Sequence, residues 1–407
     1  TLNYKNNTYT LLFDGFISNA ENLAMELEVQ QISTKEMSLE ELLLFSFLKK
    51  GPDFIKQVRG AFAMAIYNQT EKVLYLFRDP LGLRPLFYTE KEQTLIFASE
   101  IKGLFQYPGI EAILDREGLI ELLSLGPARK PGSAIFKNIL EVKPGCIVTY
   151  NKEGIRELRY HSFEIKEHRD SYEDTKEQIY YLLNQSIDSL KSAVMPISSF
   201  LSGGLDSSII SAKLANAQNT PLATYSLEFD NSRQHFKSNA FQPSLDAPFV
   251  QEMATHLGTK HTTYTCNNQI QLDYLKKSVI AHDLPTMADV DSSLLVFCGQ
   301  IKQHVKVALS GECADEIFGG YPWYRDPEIR VKEGFPWAQN TEQRMLLLSP
   351  DIKVNAKDLV MDAYASTCSE SDILPENSDT ERRMKEMVNL NFRWFMQTLL
   401  DRKDRMS

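Results

Sequence analysis

The residues best suited to chemistry form a short run of glycine and serine that follows an apolar segment. The run reads Ser202-Gly203-Gly204-Leu205-Asp206-Ser207-Ser208, after residues 197–201. Paired glycines let backbone amides approach a ligand, serine hydroxyls add donors, and a helix start adds a positive dipole end. A strand, such a loop and a helix together predict a polyphosphate cradle at the carboxyl edge of a sheet. A serine-rich loop with an ordinary helix cap is the alternative.

Two acidic residues are candidates for metal binding near this loop. Asp206 would be misplaced beside phosphates unless a divalent cation lies between them, so we predict that it is a Mg²⁺ ligand. Asp315 follows a predicted strand that delivers Ser310-Gly311 to the same sheet edge, and it could supply a second carboxylate opposite Asp206. A helix start that favours acidic residues is the alternative for Asp315. The chain has no G-x-x-x-x-G-K-[ST] string, so the loop is not of the kind that usually transfers a γ-phosphate.

Together these strings resemble the asparagine synthetase family. SGGLDSS is similar to its pyrophosphate-releasing ATP loop, and residues 309–321 (LSGECADEIFGGY) are similar to the string that faces that loop. The resemblance runs from Thr8 to the last residue. It implies that Glu312 lies at the activated acyl group or the incoming ammonia, that Asp315 is catalytic with it, and that residues 283–293 lie near the amino-acid substrate. The nucleotide contacts that it implies are Leu201, Ser202, Gly203, Gly204, Leu205, Asp206, Ser207, Ser208, Leu227, Ser310 and Gly311.

The first half of the chain resembles class II glutamine amidotransferase domains. Residues 78–88 (RDPLGLRPLFY) are similar to their R-D-x-x-G-x-x-P-L-Y signature, in which the aspartate, here Asp79, holds the amino group of glutamine. Residues 13–19 (FDGFISN) stand where the family usually reads F-N-G-E-I-Y-N, and its asparagine and glycine form the oxyanion hole. Asp14 and Gly15 occupy these positions. An ionised Asp14 can only accept hydrogen bonds, so we expect glutamine hydrolysis to be impaired.

The nucleophile of the class II domains is a cysteine at the mature amino terminus, with the α-amine as its base. Here no cysteine precedes Cys146, and the arginine expected to hold the glutamine carboxylate is absent too. Thr1 is formally another terminal nucleophile, but it leads almost directly into the first long predicted strand. We therefore expect a fragment that is open at both ends.

The elements that must position these residues fall into two groups. Strands at 9–13, 61–67, 73–77, 85–88 and 94–97, with helices at 21–28 and 39–47, predict an α+β domain of antiparallel hairpins. After the polar segment 164–173, strands at 197–201, 223–227 and 304–309 alternate with helices at 172–192, 208–216 and 249–257, which predicts a parallel sheet covered on both faces. With the resemblance, the prediction is an Ntn-type α+β amidotransferase sandwich in residues 1–163 and a doubly wound parallel-sheet ATP-pyrophosphatase domain in residues 172–407.

Composition narrows the class of protein. A net charge of −10 disfavours a broad nucleic-acid surface, because such binding needs many phosphate-neutralising cations. No apolar run reaches the roughly 20 residues that a membrane helix needs. Five scattered cysteines without a C-x-x-C pair favour a reducing compartment, so we expect a cytoplasmic protein.

The predicted function is glutamine-dependent asparagine synthesis from aspartate, with ATP and Mg²⁺ and with glutamine or ammonia as nitrogen donor. A homodimer is one arrangement that the resemblance allows. Three alternatives remain: another amide-forming synthetase of the β-lactam synthetase or peptide-cyclising type, a tRNA-modifying enzyme with the same ATP loop, and a degenerate binding or regulatory protein. The alternatives can be distinguished by the carboxylate that supports ATP–pyrophosphate exchange. A binding or regulatory protein would show no exchange with any carboxylate.

Overall fold

The structure is a computed structural model, and it divides the chain into two compact units. The first comprises residues 1–164 and 341–360, and the second comprises residues 165–340 and 361–407. None of the described helices is long and apolar enough to cross a membrane. The described residues are 1–191, 197–230, 232–239, 242–353, 356–371 and 373–407.

The strands of the described part of the chain form three sheets. A six-stranded sheet has the order β1-β2-β3-β4-β8-β9, a three-stranded sheet has the order β6-β5-β7, and a four-stranded sheet has the order β12-β11-β10-β13. Their bounds are β1 Leu2–Tyr4, β2 Asn7–Ile17, β3 Gly60–Asn68, β4 Val73–Arg78, β5 Phe87–Lys91, β6 Thr94–Ala98, β7 Leu140–Glu141, β8 Cys146–Asn151, β9 Gly154–Arg159, β10 Ile197–Phe200, β11 Ala223–Phe229, β12 Lys260–Cys266 and β13 Val307–Leu309.

The helices concentrate in the second unit. Two 3₁₀ segments, Gly51–Gln57 and Met345–Leu347, and two π-helical segments, Glu121–Leu125 and Asn391–Phe395, accompany them. The α-helices are α1 Ala20–Val29, α2 Leu39–Lys50, α3 Ile101–Leu104, α4 Arg116–Ile120, α5 Tyr172–Lys191, α6 Leu205–Asn216, α7 Ser232–His235, α8 Ala247–Leu257, α9 Asn268–His282, α10 Asp289–Ile301, α11 Ala314–Phe318, α12 Pro322–Arg325, α13 Pro327–Arg330, α14 Thr341–Arg344, α15 Pro350–Lys353, α16 Ala356–Ser369, α17 Asp379–Leu390 and α18 Met396–Met406.

The first unit is an antiparallel sandwich with helices on its outer face. Residues 61–66 of strand β3 are all apolar, and from Phe62 to Ile66 every side chain is buried, on both faces of the strand. Phe62 and Met64 pack toward α1 and α2, whereas Ala63 and Ala65 pack with Leu86 of the segment before β5. Successive side chains of a strand point to opposite faces, so the small alanines leave room for the three-stranded sheet. The predicted α+β sandwich of antiparallel strands is confirmed.

The second unit is built on a parallel sheet. All three of its strand pairings are parallel, and β10 lies between β11 and β13. Ile197 packs with Leu214 of α6 on one face, and Tyr225 packs with Phe297 of α10 on the other. Helices therefore cover both faces, as the predicted doubly wound domain requires.

Several predicted elements differ in their bounds. The predicted strand 85–88 is β5, Phe87–Lys91, and the predicted helix 249–257 begins at Ala247. The predicted strand 304–309 contains only Val307–Leu309, because the amides of His304 and Val305 both donate to the carbonyl of Ile301 at the end of α10. The predicted helix 208–216 begins at Leu205, three residues earlier. Of the predicted helix 172–192, residue 192 lies outside the described residues.

The segment 341–360 is assigned to the first unit, whereas the predicted ranges 1–163 and 172–407 place it in the second domain. Within the first unit, Arg344 donates a hydrogen bond to the carbonyl oxygen of Gly126. This hydrogen bond joins residues that are 218 positions apart in the chain, and no local sequence pattern indicates such a contact.

Candidate active site

The predicted phosphate loop connects β10 to α6. Gly203 has φ +79°, and an ideal Cβ on it would lie 2.8 Å from Cβ of Phe249, so both conformation and space require glycine. The Ser202 and Ser207 hydroxyls are 2.9 Å apart, and the Ser207 hydroxyl donates to the carbonyl of Gly204 at 3.2 Å. Because α6 begins at Leu205, Asp206 and Ser207 lie in its first turn, where backbone amides point outward from the helix end.

The second predicted string lies directly beside this loop. Strand β13 pairs in parallel with β10, with Leu309 opposite Ser199. The segments that follow the two strands therefore leave the sheet at the same edge. An ideal Cβ on Gly311 would lie 2.8 Å from Cβ of Asp206 and 2.8 Å from the amide nitrogen of Ser207. The two strings thus approach each other closely at Gly311, and only glycine, which has no Cβ, permits this approach.

We expect Gly311→Ala to lower ATP–pyrophosphate exchange by about tenfold in the full-length protein, since a misplacement of about 1 Å can cost 10²-fold. The added methyl group must push the two loops apart, because backbone atoms cannot rotate away. Gly299→Ala is the matched control: Gly299 lies within α10, and apart from its neighbours in that helix no atom of the described residues lies within 4 Å of its ideal Cβ. Equal activity of both variants would contradict a shared site at these loops.

Asp206 and Asp315 lie close enough to interact electrostatically. Burial raises the pKa of Asp315, and the negative charge of Asp206 raises it further. An ideal Cβ on Gly320 would lie 1.8 Å from Oδ1 of Asp315, so this glycine leaves room for the carboxylate. Among the described residues, no group of three or more His, Cys, Asp or Glu side chains could hold a metal ion. Two carboxylates fit Mg²⁺ that is also bound by nucleotide phosphates and water.

Glu312 lies in the turn between β13 and α11, and it has two cationic partners on α18. Arg402 pairs with its Oε1, and Nζ of Lys403 lies 3.0 Å from its Oε2. Neither cation was predicted for the site, because a basic run in a terminal helix is ordinarily a solvated face. Only the burial of α18 against α9 and α10 brings these residues to the turn.

Other residues predicted to contact the nucleotide lie at the same edge of the sheet, but their side chains differ in how far they are exposed to a ligand. Leu201 is wholly buried and packs against Val250 and Ala254, so only its backbone could meet a ligand. Leu227 lies in β11, beside β10, and packs partly buried near Phe297. All the predicted nucleotide contacts stay predictions: Leu201, Ser202, Gly203, Gly204, Leu205, Asp206, Ser207, Ser208, Leu227, Ser310 and Gly311.

The segment 283–293 folds around a buried carboxylate. Asp291 accepts hydrogen bonds from the Thr286 hydroxyl and, at 2.9 Å, from the Met287 amide. Ala288 has φ +44°, which is uncommon for a residue with a side chain. This segment approaches Arg402, whose Nη1 lies 3.9 Å from the sulfur of Met287.

In the first unit, Asp79 is wholly buried and organises the loop that follows β4. Its two oxygens accept four backbone N–H groups, at 3.2 Å from Phe62 and at 3.0 Å from Leu81, Leu83 and Arg84. Burial raises the pKa of Asp79, and the amides of Leu83, Arg84 and Phe62 and the charge of Arg78 oppose that shift. The predicted contact with the amino group of glutamine stays a prediction.

We expect Asp79→Asn to destabilise the protein by about 2–5 kcal/mol, because the new NH₂ group would face backbone donors in a buried site. Differential scanning calorimetry of the full chain should show a lower Tm. Asp53→Asn is the control, since Asp53 is exposed and forms an ion pair with the exposed side chain of Lys56. An unchanged Tm for Asp79→Asn would show that the four amides do not depend on the carboxylate.

Asp14 and Gly15 lie on β2, and β3 separates this strand from β4, which Asp79 follows. Asp14 is opposite Ala63, which is opposite Arg78, and Gly15 is opposite Phe62, a donor to Asp79. Asp14 is exposed. Gly15 has φ +135°, and an ideal Cβ on it would lie 2.0 Å from the carbonyl oxygen of Ala61. Asp14 and Gly15 therefore lie opposite residues of β3 that are next to Asp79, either through the pairing with Arg78 or through the Phe62 amide.

Comparison with known proteins gives two family matches. The glutamine amidotransferase domain family matches residues 2–161, and the asparagine synthase family matches residues 178–407. The chain is 40% identical over 410 residues to asparagine synthetase [glutamine-hydrolyzing] 3 of Bacillus subtilis, covering 99% of this chain and 66% of that protein. It is 28% identical over 338 residues to asparagine synthetase B [glutamine-hydrolyzing] of Escherichia coli, covering 78% and 53%. The chain thus spans about half to two thirds of the length of these relatives.

Proposed function

The chain belongs to the asparagine synthase family, and we propose that its protein makes asparagine from aspartate with nitrogen taken from glutamine or ammonia. The observation that supports this best is the contact of the two loops, in which Gly311 abuts Asp206 and Ser207. A phosphate loop and an acidic turn are thereby brought together at the carboxyl edge of a parallel sheet, where α/β folds bind ligands.

The proposed reaction has two steps in the second unit. The β-carboxylate of aspartate attacks the α-phosphorus of ATP, giving β-aspartyl-AMP and pyrophosphate. Ammonia then attacks the acyl carbon, releasing AMP, and the extra proton passes to solvent or a nearby base. The loop at 202–208 would orient the phosphates through backbone amides and hydroxyls.

Asp206 and Asp315 would hold Mg²⁺ on the nucleotide phosphates. The ion would supply positive charge where the pyrophosphate leaves. Glu312 would lie at the acyl group or the ammonia. The like-charge interaction between Asp206 and Asp315 supports this assignment, because two adjacent acids raise the cost of ionisation unless a cation joins them.

The first unit would release ammonia from glutamine. Asp79 and Gly15 retain the residue types of the class II domains, whereas Asp14 departs from them. We place the protein in the cytoplasm, since all five of its cysteines are free.

The test is ATP–pyrophosphate exchange by the purified full-length protein with a panel of carboxylates. Aspartate should support exchange, and adding ammonia should yield asparagine and AMP in equal amounts. Exchange with another carboxylate alone would indicate a different amide-forming synthetase. No exchange with any carboxylate would indicate a binding or regulatory protein.

A further inference from the structure

The cationic pair on α18 has more positive charge than its partner neutralises. Arg402 and Lys403 share the single carboxylate of Glu312, one on each oxygen. The other nearby acids have different partners. Asp401 lies 3.4 Å from His282 and 3.7 Å from Arg405, and Glu316 accepts a hydrogen bond from the Tyr321 hydroxyl at 2.5 Å.

The guanidinium of Arg402 also has donor capacity that the described residues do not use. Its side chain is only 9% exposed. Its Nε is buried and has no hydrogen-bond partner among the described residues, and the neighbour of its Nη1 is the thioether of Met287, a weak acceptor. A buried donor without an acceptor costs free energy, so this arrangement favours a bound anion.

The pair is adjacent to the phosphate loop without being part of it. Nζ of Lys403 lies 4.9 Å from the ring centroid of Phe200, the last residue of β10. Its partner Glu312 follows Gly311, the residue that abuts Asp206. An anion bound by Arg402 and Lys403 would therefore lie beside the nucleotide phosphates, at the position of a reacting acyl substrate.

We propose that Arg402 and Lys403 bind the carboxylate of the acyl substrate that is not activated, and so select a dicarboxylic amino acid. This inference rests on the proposed function. The planar guanidinium of Arg402, whose Nε has no partner among the described residues, is suited to a planar carboxylate. The nucleotide phosphates already have the amides and hydroxyls of residues 202–208, so we assign the pair to the substrate and not to ATP.

The experiment compares aspartate with isoasparagine, in which an amide replaces the α-carboxylate, in ATP–pyrophosphate exchange by the full-length protein. The unaltered protein should prefer aspartate in kcat/KM. In Arg402→Gln this preference should fall by about 10- to 100-fold, the size of a hydrogen bond to a charged group. Lys403→Gln should act in the same direction. The KM for ATP should be unchanged in both variants.

The matched control is Arg382→Gln, since Arg382 is exposed on α17 and should leave the preference unchanged. Equal losses with aspartate and isoasparagine, or a raised KM for ATP, would overturn the inference in favour of a structural role or a phosphate contact. An unchanged preference in Arg402→Gln would overturn the inference alone. If the unaltered protein activates no dicarboxylate, the proposed function fails and the inference fails with it.

Discussion

Replacing Asp206 with asparagine is expected to abolish Mg²⁺-dependent pyrophosphate release by the full-length protein while the fold survives. A metal ion supplies several kcal/mol of charge stabilisation, so a loss on the order of 10³-fold is expected. Asparagine keeps the size of the side chain but removes the charge that would hold the cation beside the phosphates. Pyrophosphate release at saturating ATP and circular dichroism measure the two halves of this expectation.

The stability of the Asp206→Asn variant distinguishes a functional carboxylate from a structural one. The pKa of Asp315 is raised in the folded state, so its ionisation costs stability as pH rises from the ordinary value through the raised one. Removing the charge of Asp206 lowers that cost. Without Mg²⁺ at neutral pH, the variant should therefore be no less stable than the original protein.

The control for this experiment is Asp273→Asn. Asp273 lies exposed on α9, where it accepts a hydrogen bond from Gln269 at 2.7 Å, and its replacement should leave pyrophosphate release unchanged. Full activity of Asp206→Asn with an intact circular dichroism spectrum would remove Asp206 from the mechanism.

Local patterns were sufficient to predict most of the elements that carry the site. The glycine and serine run after an apolar segment indicated the phosphate loop, and the structure places that loop between β10 and α6. The start of α6 was predicted three residues late, because serine and aspartate are favoured both in loops and in the first turn of a helix. The residue types alone therefore do not distinguish the end of the loop from the first turn of the helix.

The contacts that complete the site depend on residues far apart in the chain. Arg402 and Lys403 reach Glu312 across about ninety residues, and Asp79 accepts amides from a loop and from a neighbouring strand. Periodicity indicates which residues are buried but does not indicate their partners. The resemblance pointed to Asp79 as a ligand-binding residue, and the structure adds its four backbone donors.

In the whole protein, free ammonia is expected to support amide synthesis much better than glutamine does, and Asp14→Asn is expected to narrow the gap. Asp14 is exposed on β2 beside Gly15, in the strand next to Phe62 and close in register to Asp79. A carboxylate there repels the negative charge that develops on the glutamine amide oxygen, whereas an amide can donate to it. Regaining one such donor is expected to raise the glutamine-dependent rate by about 10²–10³, or about 2.7–4 kcal/mol.

The ammonia-dependent rate of the same protein is the internal control, because we propose that adenylation takes place in the second unit, so it should not respond to this change. Asp14→Ala separates the two effects of the substitution. It removes the charge without adding a donor, so its glutamine-dependent rate should lie between those of the original protein and Asp14→Asn. Both variants are compared at saturating ATP and aspartate. If the glutamine-dependent rate of the original protein equals its ammonia-dependent rate, then Asp14 does not face the oxyanion. The correspondence of residues 13–19 with the family's oxyanion segment would then be wrong.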